Sequence, residues 1–207
     1  DWGRLDMTSV FDWIDNEFPS ERKIIIGHSM GGQLVGLMDN YDKIDTLILI
    51  ASSTGYWKDM SRPFKWLMPP LWFLLIPSIV AFYGYANAKK LGQGENLPKG
   101  VALQWRDWCI NPSYFDDHFK KSNTELFYDK FQIPIKSIQI QDDPIANKIT
   151  ANKLIGYYKN AKIEVEEINP QTIGVKKIGH TGFFSRKFKD TLWNRLKEDI
   201  ERNIFSS

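Results

Sequence analysis

Cysteine is almost missing from this sequence. One residue, Cys109, in 207 leaves no partner for an internal disulfide. With only three histidines beside it (His28, His118 and His180), a structural zinc site of the Cys/His kind is not expected. Neither sign of charge is in excess. Lys plus Arg number 27 and Asp plus Glu 25, for a net charge of +2. Without a basic stripe there is no footprint for a nucleic-acid partner. There is no internal repeat and no low-complexity tract. Apolar residues make up 43% and charged residues 25%, a balance that excludes a disordered chain. No signal peptide and no strand precede the first amphipathic segment. The chain opens on Asp1 rather than Met, so the expectation is a processed start or a fragment. The missing leader is therefore no proof of a cytosolic protein, although a cytoplasmic location is the working expectation.

What is present alternates between two periods. Met7, Val10, Phe11, Ile14 and Phe18 recur at helical spacing, predict one buried stripe, and stop at Pro19. Lys23–Gly27 is a run of branched apolar residues that suits a strand covered on both faces. A helix over Met30–Asp39 and a second buried strand over Ile44–Ala51 follow. The same rhythm returns later. Ile135–Ile140 and Ile163–Ile168 read as strands, and Asn147–Tyr158 reads as a helix with Leu154, Ile155 and Tyr158 inward. Phe184, Phe188, Leu192, Leu196, Ile200 and Ile204 predict a closing amphipathic helix. Alternating strand and helix argues for α/β layering around a parallel sheet.

Residues 55–125 break the rhythm and hold 14 of the 29 aromatic residues, including Trp57, Trp66, Trp72, Trp105 and Trp108. Pro63, Pro69, Pro70, Pro77, Pro98 and Pro112 are expected to interrupt any long helix there. The apolar run Leu67–Tyr85 contains three of them and has Arg62, Lys65, Lys89 and Lys90 nearby. It reads as a lid or a membrane-facing patch rather than a membrane-crossing helix. The division expected is a core of residues 1–54 and 126–207 with 55–125 inserted as a lid.

The chemistry concentrates in Gly27-His28-Ser29-Met30-Gly31, a G-x-S-x-G between a strand and a helix. A sharp strand-to-helix turn lifts a serine hydroxyl above the sheet edge. Gly27 and Gly31 are expected to remove colliding side chains. Ser29 would then be a nucleophile at the positive end of a helix, with the Met30 N–H as one oxyanion donor. A capping serine in a glycine-rich turn is the plainer reading of the same letters. The nucleophile needs a base. His28 is adjacent and should point away from the serine's side. His118 lies in DDHFKK and reads as a solvated surface residue. His180, in Ile178-Gly179-His180-Thr181-Gly182, follows the last strand and lies beside the crevice of an open α/β sheet. Asp142-Asp143-Pro144 ends the strand IKSIQI, and either carboxylate could orient the imidazole or form an Asx turn.

These pieces resemble the α/β-hydrolase superfamily, in which GHSMGG is a frequent form of the serine turn. More narrowly, DWG at Asp1–Gly3, GHSMGG, LGQGENLPKGVALQW at Leu91–Trp105, DDPIA at Asp142–Ala146 and IGHTGFF at Ile178–Phe184 are similar to a bacterial group of uncharacterised α/β-hydrolases. The resemblance implies Asp143, the aspartate before Pro, as the triad acid. It also implies several strands ahead of the opening helix, absent here. The fold expected is thus an α/β-hydrolase fold with an aromatic-rich lid insertion, N-terminally truncated, with Lys23–Gly27 as a raw edge. The His-Gly loop that often supplies the second oxyanion donor does not occur in this sequence. The expected activity is hydrolysis of an ester or related acyl bond in a small, apolar substrate, through Ser29, His180 and Asp143, with no cofactor and no metal. A peptidase shares the same triad. The rival expectation is a catalytically weak module that docks a membrane or partner through residues 64–85.

Overall fold

The structure, a computed structural model, describes residues 2–89 and 95–205. Asp1, Lys90 and Leu91–Gly94, which carry parts of the sequence motifs above, lie outside the described residues, as does the side chain of Ile204. The chain divides into two compact units, one built from Asp1–Ser53 and Glu125–Ser207, the other from Thr54–Thr124.

The first unit is a parallel sheet flanked by helices. Strands β1 (Ile24–His28), β2 (Thr46–Ile50), β5 (Pro134–Ile140) and β6 (Lys162–Ile168) lie in the order β1-β2-β5-β6, all parallel. β2 is buried along its whole length, as its nearly unbroken apolar run requires. β5 is buried at every residue after Pro134, although Lys136, Ser137 and Gln139 interrupt its apolar residues. Period-2 geometry sends Ile48, Ile50, Ile138 and Ile140 to one face. There they pack with Ile168, Ile178, Phe183, Phe188, Leu192 and Leu196 in one cluster. That cluster joins the sheet to the C-terminal helix α8 (Asn194–Phe205) and to the loop that carries His180.

Three local expectations change. The opening helix α1 (Met7–Glu17) forms, but of its apolar stripe only Phe11 is buried, while Val10 and Phe18 are 58% and 52% exposed. Polar ties hold it instead. Lys23 and Lys43 pair with Asp15 and Asp12 at 2.8 and 2.9 Å, and Asn40 donates to the Thr8 carbonyl. β1, beside it, is an edge strand of the described sheet. The helix after Ser29 is shorter than its periodicity predicts. α2 (Met30–Gln33) tightens into a 3₁₀ turn over Leu34–Leu37. Gly36 there lies flat on the Tyr128 ring, and its carbonyl accepts from the Phe127 N–H. The C-terminal stripe begins in short turns over Gly182–Phe188, which leave Phe184 half exposed, before α8 forms. By contrast, α7 (Lys148–Ile155) starts where Asn147 caps the Ile149 and Thr150 N–H groups, and it buries Leu154 and Ile155.

The second unit corrects the reading of its prolines. α3 (Phe64–Pro70), a π-helical turn over Leu71–Leu75 and α4 (Ile76–Tyr83) run on as one helix of 20 residues. Pro77 is the second residue of α4, directly after the π turn, so it lies inside the continuous run without ending it. The wider π turn absorbs the register change after Pro69 and Pro70. A two-residue hairpin, β3 (Tyr85–Ala86) with β4 (Leu97–Pro98), leads to α5 (Lys99–Ile110) and then α6 (Asp116–Lys121). Trp72, Trp108, Tyr114, Phe115 and Phe119 are buried as the unit's own core. His118 is not a solvated surface residue. It bonds Gln104 at 3.0 Å and packs edge-on against the Trp108 and Phe119 rings.

Candidate active site

Ser29 follows directly on β1. Its N–H still bonds the Ile50 carbonyl at 3.1 Å, extending the ladder by one residue, and then the chain turns into α2. Ser29 has φ 51° and ψ −122°, a conformation that costs a residue with a side chain about 1–3 kcal/mol. Two glycines permit the turn, and one differs from the expected pair. A Cβ on Gly27 would lie 2.4 Å from the Gly32 Cα, and one on Gly32 would lie 2.1 Å from the Ser52 Oγ. Gly31 faces open space, so the steric demand falls on Gly27 and Gly32. Ser52 holds the crossing by donating to the Gly27 carbonyl at 3.1 Å.

The sheet brings three distant side chains into line. Ser29 Oγ lies 2.8 Å from His180 Nε2, and His180 Nδ1 lies 2.7 Å from Asp143 Oδ2. A carboxylate only accepts, so Nδ1 carries the proton toward Asp143 and Nε2 is the acceptor for the serine hydroxyl. The Asp143 side chain is fully buried, and its second oxygen accepts the Ile145 and Ala146 N–H groups at 2.8 and 2.9 Å. Asp142 does something else. Its two oxygens accept the Ile178 and Gly179 N–H groups, each at 3.0 Å, and so clamp the loop in front of His180.

His28 departs from expectation. Its ring turns toward the His180 loop, and Nε2 donates to the His180 carbonyl at 2.9 Å. The ring also packs edge-on against Phe184. Burial, the largest influence, holds its pKa below the ordinary histidine value, so the neutral ring is the native form at pH 7. Nothing in the sequence pointed to this contact, because its acceptor is a backbone carbonyl 152 residues away. Met30 opens α2, and its N–H, as the first of the helix, has no acceptor within that helix. Among the described residues no group of three His, Cys, Asp or Glu side chains is arranged to hold a metal ion.

A line of hydroxyl, imidazole and carboxylate at the C-terminal edge of a parallel sheet can move a proton off the hydroxyl and steady the cation that results. No protein-family model matches the chain, and no curated protein matches it in sequence. Solved structures do match in shape. A soluble variant of monoglyceride lipase from Saccharomyces cerevisiae aligns with a TM-score of 0.62 at 15% identity, over 98% of this chain and 69% of the lipase. A monoacylglycerol lipase from Paleococcus ferrophilus aligns at 0.54 and 13%, over 95% of this chain and 74% of that one. An acylaminoacyl peptidase from Pyrococcus horikoshii aligns at 0.53 and 13%, over 98% of this chain but only 28% of the peptidase. The fold is the α/β-hydrolase fold. At these identities the likeness is one of architecture.

Proposed function

We propose that the chain is a serine hydrolase that cleaves an ester or related acyl bond in a small, apolar substrate. The observation that carries this reading is the continuous line from Ser29 Oγ through His180 to Asp143, at 2.8 and 2.7 Å, with Ser29 held at positive φ. In the proposed cycle His180 Nε2 takes the Ser29 proton as Oγ attacks the carbonyl carbon. The tetrahedral oxyanion sits on the Met30 N–H. The tetrahedral intermediate then collapses to an acyl-serine, and the leaving group departs with the proton from His180. Water, deprotonated by the same imidazole, releases the acid and restores Ser29. Asp143 fixes the tautomer and steadies the imidazolium without taking its proton. The inserted unit is read as the lid, since the chain enters it shortly after β2, the neighbour of the strand that leads into Ser29.

Esterase is preferred to peptidase because the two lipase likenesses extend over most of both chains, whereas the peptidase likeness covers a minor part of its partner. The test is labelling by a fluorophosphonate probe together with turnover of p-nitrophenyl esters graded by acyl length. Labelling lost in Ser29→Ala and turnover of short apolar esters are expected. A folded protein that takes no label and cleaves no ester ends the proposal.

A further inference from the structure

The helix from Phe64 to Tyr83 is apolar on both sides. One side is spent inside its own unit. Trp72 meets the Trp105 ring at 5.2 Å, Arg106 Nε donates to the Trp72 carbonyl, and Val80 packs with Ala86 and Ala102. The other side faces out. Trp66, Phe73, Leu74 and Phe82 are 62%, 54%, 63% and 90% exposed, and Leu67 and Tyr83 are also exposed. Large apolar side chains clustered outward on one helix are unusual on a surface that meets only water. Only one charged residue, Lys65, lies within the helix, and no acidic residue occurs between Asp59 and Glu95. Cations gather where the helix begins. Arg62 lies over the Trp66 ring at 5.8 Å and Lys58 over the Trp57 ring at 5.4 Å.

We propose that this outward face lies in the plane of an anionic lipid bilayer, with Trp66, Leu67, Phe73, Leu74 and Phe82 among the acyl chains and Lys58, Arg62 and Lys65 at the headgroups. An apolar helix face bordered by cations and amphipathic aromatics is the pattern that suits a lipid interface. Charge selects among the possible occupants. A second copy laid on the same face would bring cations toward cations with no acidic residue in this segment to meet them, whereas an anionic leaflet matches them. Packing selects the orientation. The helix has the length and apolarity to cross a membrane, but its inner side is bound to α5 and the hairpin, which carry Arg106, Asp107 and Lys99. Crossing would drag those charges into hydrocarbon.

The proposal does not depend on the hydrolase reading, and its test removes turnover. The full chain carrying Ser29→Ala is floated with vesicles of phosphatidylcholine alone or mixed with phosphatidylglycerol. Co-flotation with the anionic vesicles, weakened by salt, is expected. Trp66→Ser with Phe73→Ser and Phe82→Ser should lower partition by about tenfold or more, and Phe82→Ser alone, at the most exposed position, should lower it measurably. Arg62→Gln and Lys65→Gln should each lower binding to anionic vesicles about fivefold and leave the neutral ones unaffected. Three results overturn the proposal: no flotation by a folded protein, equal flotation by the folded serine variants, or bound protein that resists alkaline carbonate, which is the mark of a spanning helix. Sedimentation of a dimer that the serine variants dissociate, with no vesicle binding, would assign the face to a second copy.

Discussion

Asp142 and Asp143 show how much one peptide bond can separate. Both end the same strand, yet one binds the imidazole and the other binds two backbone N–H groups of the loop that presents it. Asp143→Asn keeps the turn acceptor but removes the negative partner of Nδ1–H. It is expected to lower kcat by roughly 10⁴-fold with little change in unfolding temperature. Asp142→Asn leaves one loop N–H facing an amide group and should cost about 1–3 kcal/mol of stability with a smaller loss in kcat. Steady-state kinetics and thermal unfolding of both variants separate the roles, and a reversed pattern would exchange them. The sequence order Ser29, Asp143, His180 was legible because each residue ends a strand or opens a turn. Which aspartate turns toward the ring was not legible from the turn chemistry that both share, and only the resemblance, through the Pro after Asp143, pointed to that residue. His28 adds a pH dependence. Its folded pKa is below its unfolded value near 6.5, so the unfolded chain binds more protons. That share of stability is complete above pH 6.5 and is lost as pH falls through the folded value. In His28→Phe the decline in unfolding temperature below pH 6.5 should be shallower than in the wild type.

Elements in this chain are bounded by contacts more than by propensity. The strand-to-helix turn was readable from G-x-S-x-G, but the choice of glycines was not. Gly31 is part of the motif and meets nothing, while Gly32, outside it, has Ser52 and Leu49 within 2.1 and 2.8 Å of a would-be Cβ. Gly31→Ala is therefore expected to keep solubility and unfolding temperature close to wild type. Gly32→Ala should destabilise by about 1–3 kcal/mol or more, because the Ser52 side chain and its bond to Gly27 must shift. Chemical denaturation of the two variants side by side decides it. The helix over Phe64–Tyr83 teaches the converse. Three prolines look like breakers in a list of letters, yet a π turn lies between the first two and the third and the helix runs on through all of them. Local rules count prolines, whereas the packing of Trp72 and Val80 fixes the path of the helix.

Across the first unit, the sheet is held to α8 by an apolar cluster and by one charged knot. Lys136, inside the strand IKSIQI, is 8% exposed and lies 2.6 Å from Asp199 and 2.7 Å from Glu166, which Arg195 also binds. Burial works against its charge, but the hydrogen bonds it donates to Asp199 and Glu166 outweigh it, and the ammonium pKa is raised. Lys136→Met would leave Asp199 buried with less compensation and should cost about 3–5 kcal/mol. Lys136→Met combined with Asp199→Leu should recover most of that loss, since an apolar pair of similar volume can replace a buried ion pair. Denaturant titration of the single and double variants reads this directly. If the double variant were no more stable than the single, the knot would owe its worth to Glu166 and Arg195 instead.

The sequence by itself determined the order of strands and helices, the covered character of β2, and the sharp turn at Ser29. Those follow from periodicity and from steric needs that act over a few neighbouring residues. The same reading of the first strand fails, because β1 is an edge of the described sheet and leaves Ile26 exposed. Tertiary structure decided the rest: that α1 is tied by Asp12 and Asp15 rather than by its apolar stripe, that His28 reaches the His180 carbonyl, and that Asp142 clamps the Ile178 and Gly179 N–H groups. Each of those depends on where a distant segment arrives, and a side chain's direction is fixed only when its partner is in place.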